Sequence, residues 1–174
     1  MQKNIFLIGP TGSGKSTIGK VLANELNLQF YDTDKEIETL AGVPIPWIFD
    51  IEGEAGFRIR ETIVLKKLVE KNNIVIATGA GLILSSINRN LLNIHGINIY
   101  LKTSIEQQQQ RTTRSHHRPL LATANRAEVL YTMAQTRNQL YEEVADYCFD
   151  TTTNSILKIT NDIIKFVYTL HKLR

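Results

Sequence analysis

The chain has 174 residues, 43% hydrophobic and 21% charged, with a formal net charge of +3. That length suits one domain (1–174) with a substantial core, and no apolar stretch approaches the ~20 residues needed to cross a bilayer. A lone cysteine, Cys148, excludes an internal disulfide, and no signal peptide is evident, so a cytoplasmic protein without membrane partners is expected. The charge is mild. No run of five or six basic residues marks a nucleic-acid stripe. Arg58, Arg60, Arg111, Arg114, Arg118, Arg126 and Arg137 are scattered instead, which suits a small anionic ligand held from several sides. A solvated basic surface accounts for some of them.

In chain order, residues 4–9 form an apolar run ending in glycine, the pattern of a strand buried on both faces. Residues 15–26 follow with apolar positions at Ile18, Val21, Leu22 and Leu26, a helical spacing. A short strand candidate leads into Tyr31-Asp32-Thr33-Asp34, ahead of a further helix. Residues 43–53 hold Pro44, Pro46 and Gly53, so any helix there must be short. Helical stretches are expected over 54–71, 125–145 and 155–172, the last with Ile156, Ile159, Ile163, Ile164, Val167 and Leu170 on a core-facing stripe. β-Branched strands are expected over 74–78 and 97–101, with a weaker one at 147–149, where Cys148 reads as a small core residue. The glutamines at 107–110 read as helix surface. Residues 111–124 are polar and basic with Pro119 inside, the composition of a lid or binding loop. Strands alternating with helices imply βαβ units and a parallel sheet.

Gly9-Pro-Thr-Gly-Ser-Gly-Lys15-Ser16 matches GxxxxGK[ST] at every fixed position, between a strand and a helix. Glycines allow backbone angles that turn successive N–H groups toward phosphate oxygens, and the helix N-terminus adds unpaired donors. Lys15 then reaches the β- and γ-phosphates and the Ser16 hydroxyl ligates Mg²⁺. Nucleotide binding is the firmest conclusion, yet GTPases, ATPases and kinases share this loop. The acceptor site has to decide between them.

Three further clusters bear on that. Asp32 and Asp34 sit where a parallel sheet binds ligands, and either approach the metal and an acceptor hydroxyl or belong to a helix N-cap supplied by Thr33 or Asp34. Glu54, Arg58 and Glu61 share a helix face, either as a surface ion-pair ladder or as an arginine oriented for a carboxylate. Gly79-Ala80-Gly81 follows a strand, where small residues let a ligand approach the backbone or simply form a turn.

Together these features resemble the shikimate kinase family: the apolar strand and P-loop from Ile5, Asp32-x-Asp34, Ile48-Phe49, Gly53-Glu54-x-x-Phe57-Arg58-x-x-Glu61, Gly79-x-Gly81, Arg118-Pro119-Leu120-Leu121 and Arg137-x-x-x-Tyr141. The resemblance implies an α/β chain with the three-layer α/β/α P-loop NTPase fold, a five-stranded parallel sheet flanked by helices and a mobile lid over 111–124. It implies a monomer of the aromatic amino-acid pathway that phosphorylates the 3-hydroxyl of shikimate with ATP and Mg²⁺. Gly12, Ser13, Gly14, Lys15, Ser16, Thr17, Arg111 and Arg118 would then hold the nucleotide, with Ser16 and Asp32 at the metal. Asp34, Phe57, Arg58, Gly79, Ala80, Gly81 and Arg137 would hold shikimate within the segment 33–61 and its surroundings. Lys15, Asp34 and Arg118 would be catalytic. The family usually carries three glycines where this chain has Ala80, whose N–H is retained but whose methyl could crowd the ligand or forbid a positive φ.

Two rival readings are weighed against this. A gluconate or nucleoside monophosphate kinase has no need of the Arg58 and Arg137 pair. A non-catalytic nucleotide-binding module has no need of Lys15, Ser16, Asp34 and Arg118 together. His116 and His117 lack further ligands at metal spacing and read as solvated lid residues. Trp47 and Phe49 read equally as pocket wall or as cover of its base.

Overall fold

The computed structural model describes residues 4–113, Leu120 and 125–172, apart from the side chains of 170–172. β1 (Asn4–Ile8) is buried over its whole length. It pairs in parallel with β3 (Ile74–Ala77) on one side and β4 (Gly96–Lys102) on the other. β2 (Gln29–Asp32) lies outside β3, and β5 (Tyr147–Asp150) outside β4, giving the order β2-β3-β1-β4-β5. The register sets Ile5 beside Val75 and Ile97, and Asp32 beside Ala77. The ends of β1, β2 and β3 therefore share one carboxyl edge, and β1 sits where its chain connections diverge to the two sides, the crevice where such sheets bind ligands.

Alternation along β1 splits the core in two. Ile5 and Leu7 face a cluster with Ile18, Leu22, Val75, Ile99 and Ile163. Phe6 and Ile8 face a second with Ile37, Leu65, Ile76, Tyr100 and Tyr141. α1 (Lys15–Glu25) and α7 (Ile156–Lys172) pack together against the first face. α3 (Ile45–Val69), α4 (Ser86–His95) and α6 (Arg126–Val144) cover the second. The result is the three-layer arrangement expected. Each fully buried aliphatic side chain here contributes roughly 1.5–3 kcal/mol. Close helix–sheet contact is enforced at Gly19, where a Cβ would lie 2.5 Å from the Phe30 ring.

α2 (Thr33–Ala41) follows β2 directly, and α5 (Ile105–Thr112) follows β4. In α3 the short helix required by Pro44, Pro46 and Gly53 is present. Pro44 is the N-cap and Pro46 lies in the first turn, where a missing N–H costs no helix bond. The helix breaks at Gly53 (φ 68, ψ −176) before continuing to Val69.

Three expectations need correction. Cys148 is exposed, because β5 is the sheet's edge strand and most of its residues face outward. Gln108 is not helix surface: it is buried, and its amide donates to the Thr103 carbonyl as α5 packs on the P-loop. On α7 the core stripe consists of Ile159, Ile163 and Val167, whereas Ile156 is exposed at the end of the helix nearest the sheet edge. No described helix is long and apolar enough to cross a membrane.

Candidate active site

The P-loop is shaped by three glycines in the left-handed region: Gly9 (φ 140), Gly12 (φ 74) and Gly14 (φ 92). Gly9 also lies so close to β4 that a Cβ would sit 2.5 Å from the Leu101 carbonyl oxygen. Gly14 is the N-cap of α1 and supplies no capping side chain, so the first N–H groups of that helix remain available to an anion. Lys15 is buried, and its ammonium donates to the carbonyls of Gly9 at 2.7 Å and Pro10 at 2.8 Å. A cavity of about 470 Å³ opens over this loop, bordered by residues 11–18 together with Asp32, Asp34, Thr78 and Ala80. Arg111, Thr151, Asn154 and Ile156 close its far side. The last three had no motif to mark them. Thr151 and Asn154 lie on the loop after β5 and Ile156 opens α7, and the β4–β5 pairing carries them to the P-loop from more than 130 residues along the chain. Arg111 ties these parts together, donating to the carbonyls of Thr151 at 2.7 Å and Gly12 at 3.1 Å.

The two aspartates divide their work. Asp32 accepts a hydrogen bond from Ser16 Oγ at 2.6 Å through Oδ2 and from the Asp34 N–H at 3.1 Å through Oδ1. Asp32 is thus the N-cap of α2, in place of the Thr33 or Asp34 weighed for that role, because the cap must precede the first helical residue. Thr33 is fully buried and accepts from the Gly79 N–H at 2.7 Å, fastening α2 to the turn after β3. Asp34 is left to face both this cavity and its neighbour. Ser16 Oγ and Asp32 Oδ2, two hard oxygen donors beside a phosphate cradle, form a pair chemically suited to Mg²⁺.

The neighbouring cavity, about 110 Å³, brings together Asp34, Phe57, Arg58, Gly79–Gly81 and Arg137, with Glu61, Phe49 and Leu120 completing the wall. Phe49 therefore borders the cavity, packed 4.8 Å from the Phe57 ring, whereas Trp47 is exposed. Arg58 forms ion pairs of 2.6 Å with both Glu54 and Glu61. Ladder and orienting device are one structure here, since Glu61 is 1% exposed and fixes the guanidinium from inside. Burial lifts the Glu61 carboxyl to about 7; Arg58 pulls it back and the charge of Asp34 pushes it further up. Arg58 is raised overall: burial opposes its charge, but Glu61 and Glu54 outweigh that. Arg137 differs. Burial lowers it, it forms no ion pair among the described residues, and its Nε is buried without a partner among them. The pocket thus presents a cation that makes no ion pair among the described residues and feels Glu54 and Glu61 only at a distance.

The glycine turn is demanded by close approach rather than by φ. A Cβ on Gly79 would lie 2.6 Å from Asp34 Oδ1 and 2.8 Å from Glu61 Oε1, and one on Gly81 would overlap the Arg58 guanidinium. Ala80 does not have a positive φ, so its methyl imposes no backbone strain. Its carbonyl accepts a 2.5 Å hydrogen bond from the hydroxyl of Tyr141, the buried tyrosine of the Arg137-x-x-x-Tyr141 motif. Thr11, Asp34 and Ala80 border both cavities and form the partition between them. Arg118, His116, His117 and most of the 111–124 segment lie outside the described residues.

The family model for shikimate kinase matches residues 11–168. A shikimate kinase of Legionella pneumophila (strain Corby) is 51% identical over 166 residues, 95% of each chain. One from Alteromonas mediterranea is 52% identical over 163 residues, 94% of this chain and 95% of its own. Among solved structures, shikimate kinase from Acinetobacter baumannii in complex with shikimate superposes with a TM-score of 0.96 at 42% identity, covering 100% of this chain and 97% of that one. A gluconokinase from Sinorhizobium meliloti, 18% identical with a TM-score of 0.65 over 97% of this chain and 93% of its own, shares the fold alone. With the P-loop, the Phe57-Arg58-x-x-Glu61 helix face and Arg137 gathered at one sheet edge, and relatives at this identity spanning nearly the whole chain, the chain belongs to the shikimate kinase family.

Proposed function

We propose that the chain transfers the γ-phosphate of ATP to the 3-hydroxyl of shikimate, giving shikimate 3-phosphate and ADP. The carrying observation is the pair of cavities that meet at Thr11, Asp34 and Ala80, one shaped for a nucleotide and one holding a surplus guanidinium. ATP occupies the larger, its phosphates on the N–H groups of residues 12–17, with Arg111, Thr151 and Asn154 at the base side. Lys15 leaves the Gly9 and Pro10 carbonyls for the β- and γ-phosphates. Ser16 and Asp32 would hold Mg²⁺, which would supply neutralisation of the phosphate charge.

Shikimate occupies the smaller cavity with its carboxylate between Arg58 and Arg137 and its ring on Phe57. A carboxylate supplies the charge that Arg137 lacks, and two guanidiniums read it bidentately. That pose turns the 3-hydroxyl toward the partition. Its oxygen attacks the γ-phosphorus, the bond to the β–γ bridging oxygen breaks, ADP departs, and the hydroxyl proton leaves toward Asp34 as the new P–O bond completes. Asp34 accepts the hydroxyl's hydrogen bond and orients it; a loose transition state asks little of a base, so positioning and charge stabilisation carry most of the rate. Arg118 is assigned to the phosphates from a lid over 111–124 that excludes water. The chain is taken as a single-domain cytoplasmic monomer in aromatic amino-acid biosynthesis.

ADP release from Mg-ATP with and without shikimate, repeated with Arg58→Ala, tests this reading. Shikimate-dependent turnover that collapses in the variant is expected. ATP binding without stimulation by shikimate would overturn the substrate and direct attention to gluconate and nucleotide acceptors.

A further inference from the structure

Thr11 occupies one of the variable positions of the P-loop motif, and nothing in the phosphate-cradle argument calls for a hydroxyl there. The side chain is nevertheless nine-tenths buried, at 8% exposed, and its Oγ1 has no hydrogen-bond partner among the described residues. A buried hydroxyl without a partner is a cost to the fold, and a valine of the same shape would avoid it. Of the three residues bordering both cavities, Ala80 has no polar side-chain atom and Asp34 is an acceptor when ionised. Among the described residues, Thr11 is the only one with a side-chain donor that borders both cavities. A phosphoryl group crossing from one cavity to the other must pass this wall, carrying negative charge on its equatorial oxygens.

We propose that the Thr11 hydroxyl donates a hydrogen bond to the phosphoryl group in transit, adding a side-chain donor to those of the P-loop backbone and Lys15. Oγ1 itself is enclosed in the free protein, so the contact requires rotation about χ1 to bring the hydroxyl to the cavity wall when the phosphate arrives. Its lack of a partner among the described residues beforehand favours that exchange. The inference rests on the phosphotransfer reading above. Threonine here exchanges stability for rate, so the two quantities should move in opposite directions when the hydroxyl is removed.

The experiment compares wild type, Thr11→Val and Thr11→Ser, reading kcat, the KM for each substrate, and the melting temperature of the free protein. Shikimate-dependent turnover by the wild type is the entry condition; its absence overturns the phosphotransfer reading itself, separately from any role of Thr11. The expected result for Thr11→Val is a kcat about 10-fold lower or more, both KM values within about threefold, and a melting temperature equal to or above wild type. Thr11→Ser should keep kcat within about threefold of wild type. An unchanged kcat in Thr11→Val would overturn the proposal. So would a rise confined to the KM for shikimate, which would place the hydroxyl on the acceptor, and so would a kcat lost in Thr11→Ser but kept in Thr11→Val, which would mean the methyl packs and the hydroxyl is idle.

Discussion

Arg58 and Arg137 are two arginines in one pocket with opposite electrostatic settings. Arg58 is compensated by Glu54 and by the buried Glu61, while Arg137 is desolvated without an ion pair among the described residues. Removing Arg58 leaves a buried carboxylate behind, so Arg58→Ala should destabilise the fold by about 3 kcal/mol above neutral pH. Arg137→Met relieves a desolvated cation and should leave stability unchanged or raised, although on the proposed function both variants should lose acceptor binding. Urea denaturation of the two at the same pH separates them; equal losses would contradict the asymmetry. Glu61 makes the first cost pH-dependent. Its carboxyl is raised from 4.5 to about 7 in the folded chain, so the native state holds a proton that the unfolded chain releases earlier. Its contribution is complete below about 4.5, is lost as the pH rises through about 7, and is flat above that. The full swing is up to about 3 kcal/mol. Glu61→Gln should remove this part of the stability–pH slope, and a slope identical in the variant would show that Glu61 does not titrate in this range.

At the scale of elements, α3 is two helices joined at Gly53, and the break aims the second of them, with Phe57, Arg58 and Glu61, at the pocket. A Cβ at Gly53 meets nothing within 4 Å, so Gly53→Ala carries a backbone penalty without a steric one. At φ 68, ψ −176 the backbone is in a region held almost by glycine alone, so that penalty is about 1–3 kcal/mol, or a fall in melting temperature of roughly 2–12 °C for a chain of this length. Glu52 and Arg60 clasp across the same break with a bidentate pair, Nε to Oε2 at 2.8 Å. Being exposed, the clasp guides the bend more than it stabilises it. If Gly53→Ala melts like wild type, the left-handed angle at the break is not a constraint. The break was legible as a glycine between two helical patterns; its direction was not, because a direction is set by what the two helices pack against.

For the whole molecule, the expected outcome is linkage between ligand and stability. Shikimate at 100 times its dissociation constant should stabilise the fold by about 2.7 kcal/mol, a rise in melting temperature of about 5–10 °C. Gluconate at equal concentration should give no shift, and a gluconate shift without a shikimate shift would favour the rival kinase reading. The phosphate cradle, the alternating elements and the helix-face triad were all readable from the chain itself, because each depends on residues within a few positions of one another. A P-loop is a local grammar of glycines, a lysine and a serine, and a helix face follows from a period of 3.6. The sheet order, and with it the meeting of Asp34, Arg58, Gly79 and Arg137, depends on contacts across a hundred residues. So do the cap at Asp32, the exposure of Cys148, the bond from Tyr141 to Ala80 and the Thr11 hydroxyl's lack of a partner among the described residues. A short-range pattern states which groups are available; only the packed chain states which are buried, which are paired, and which are left facing the space where a ligand goes.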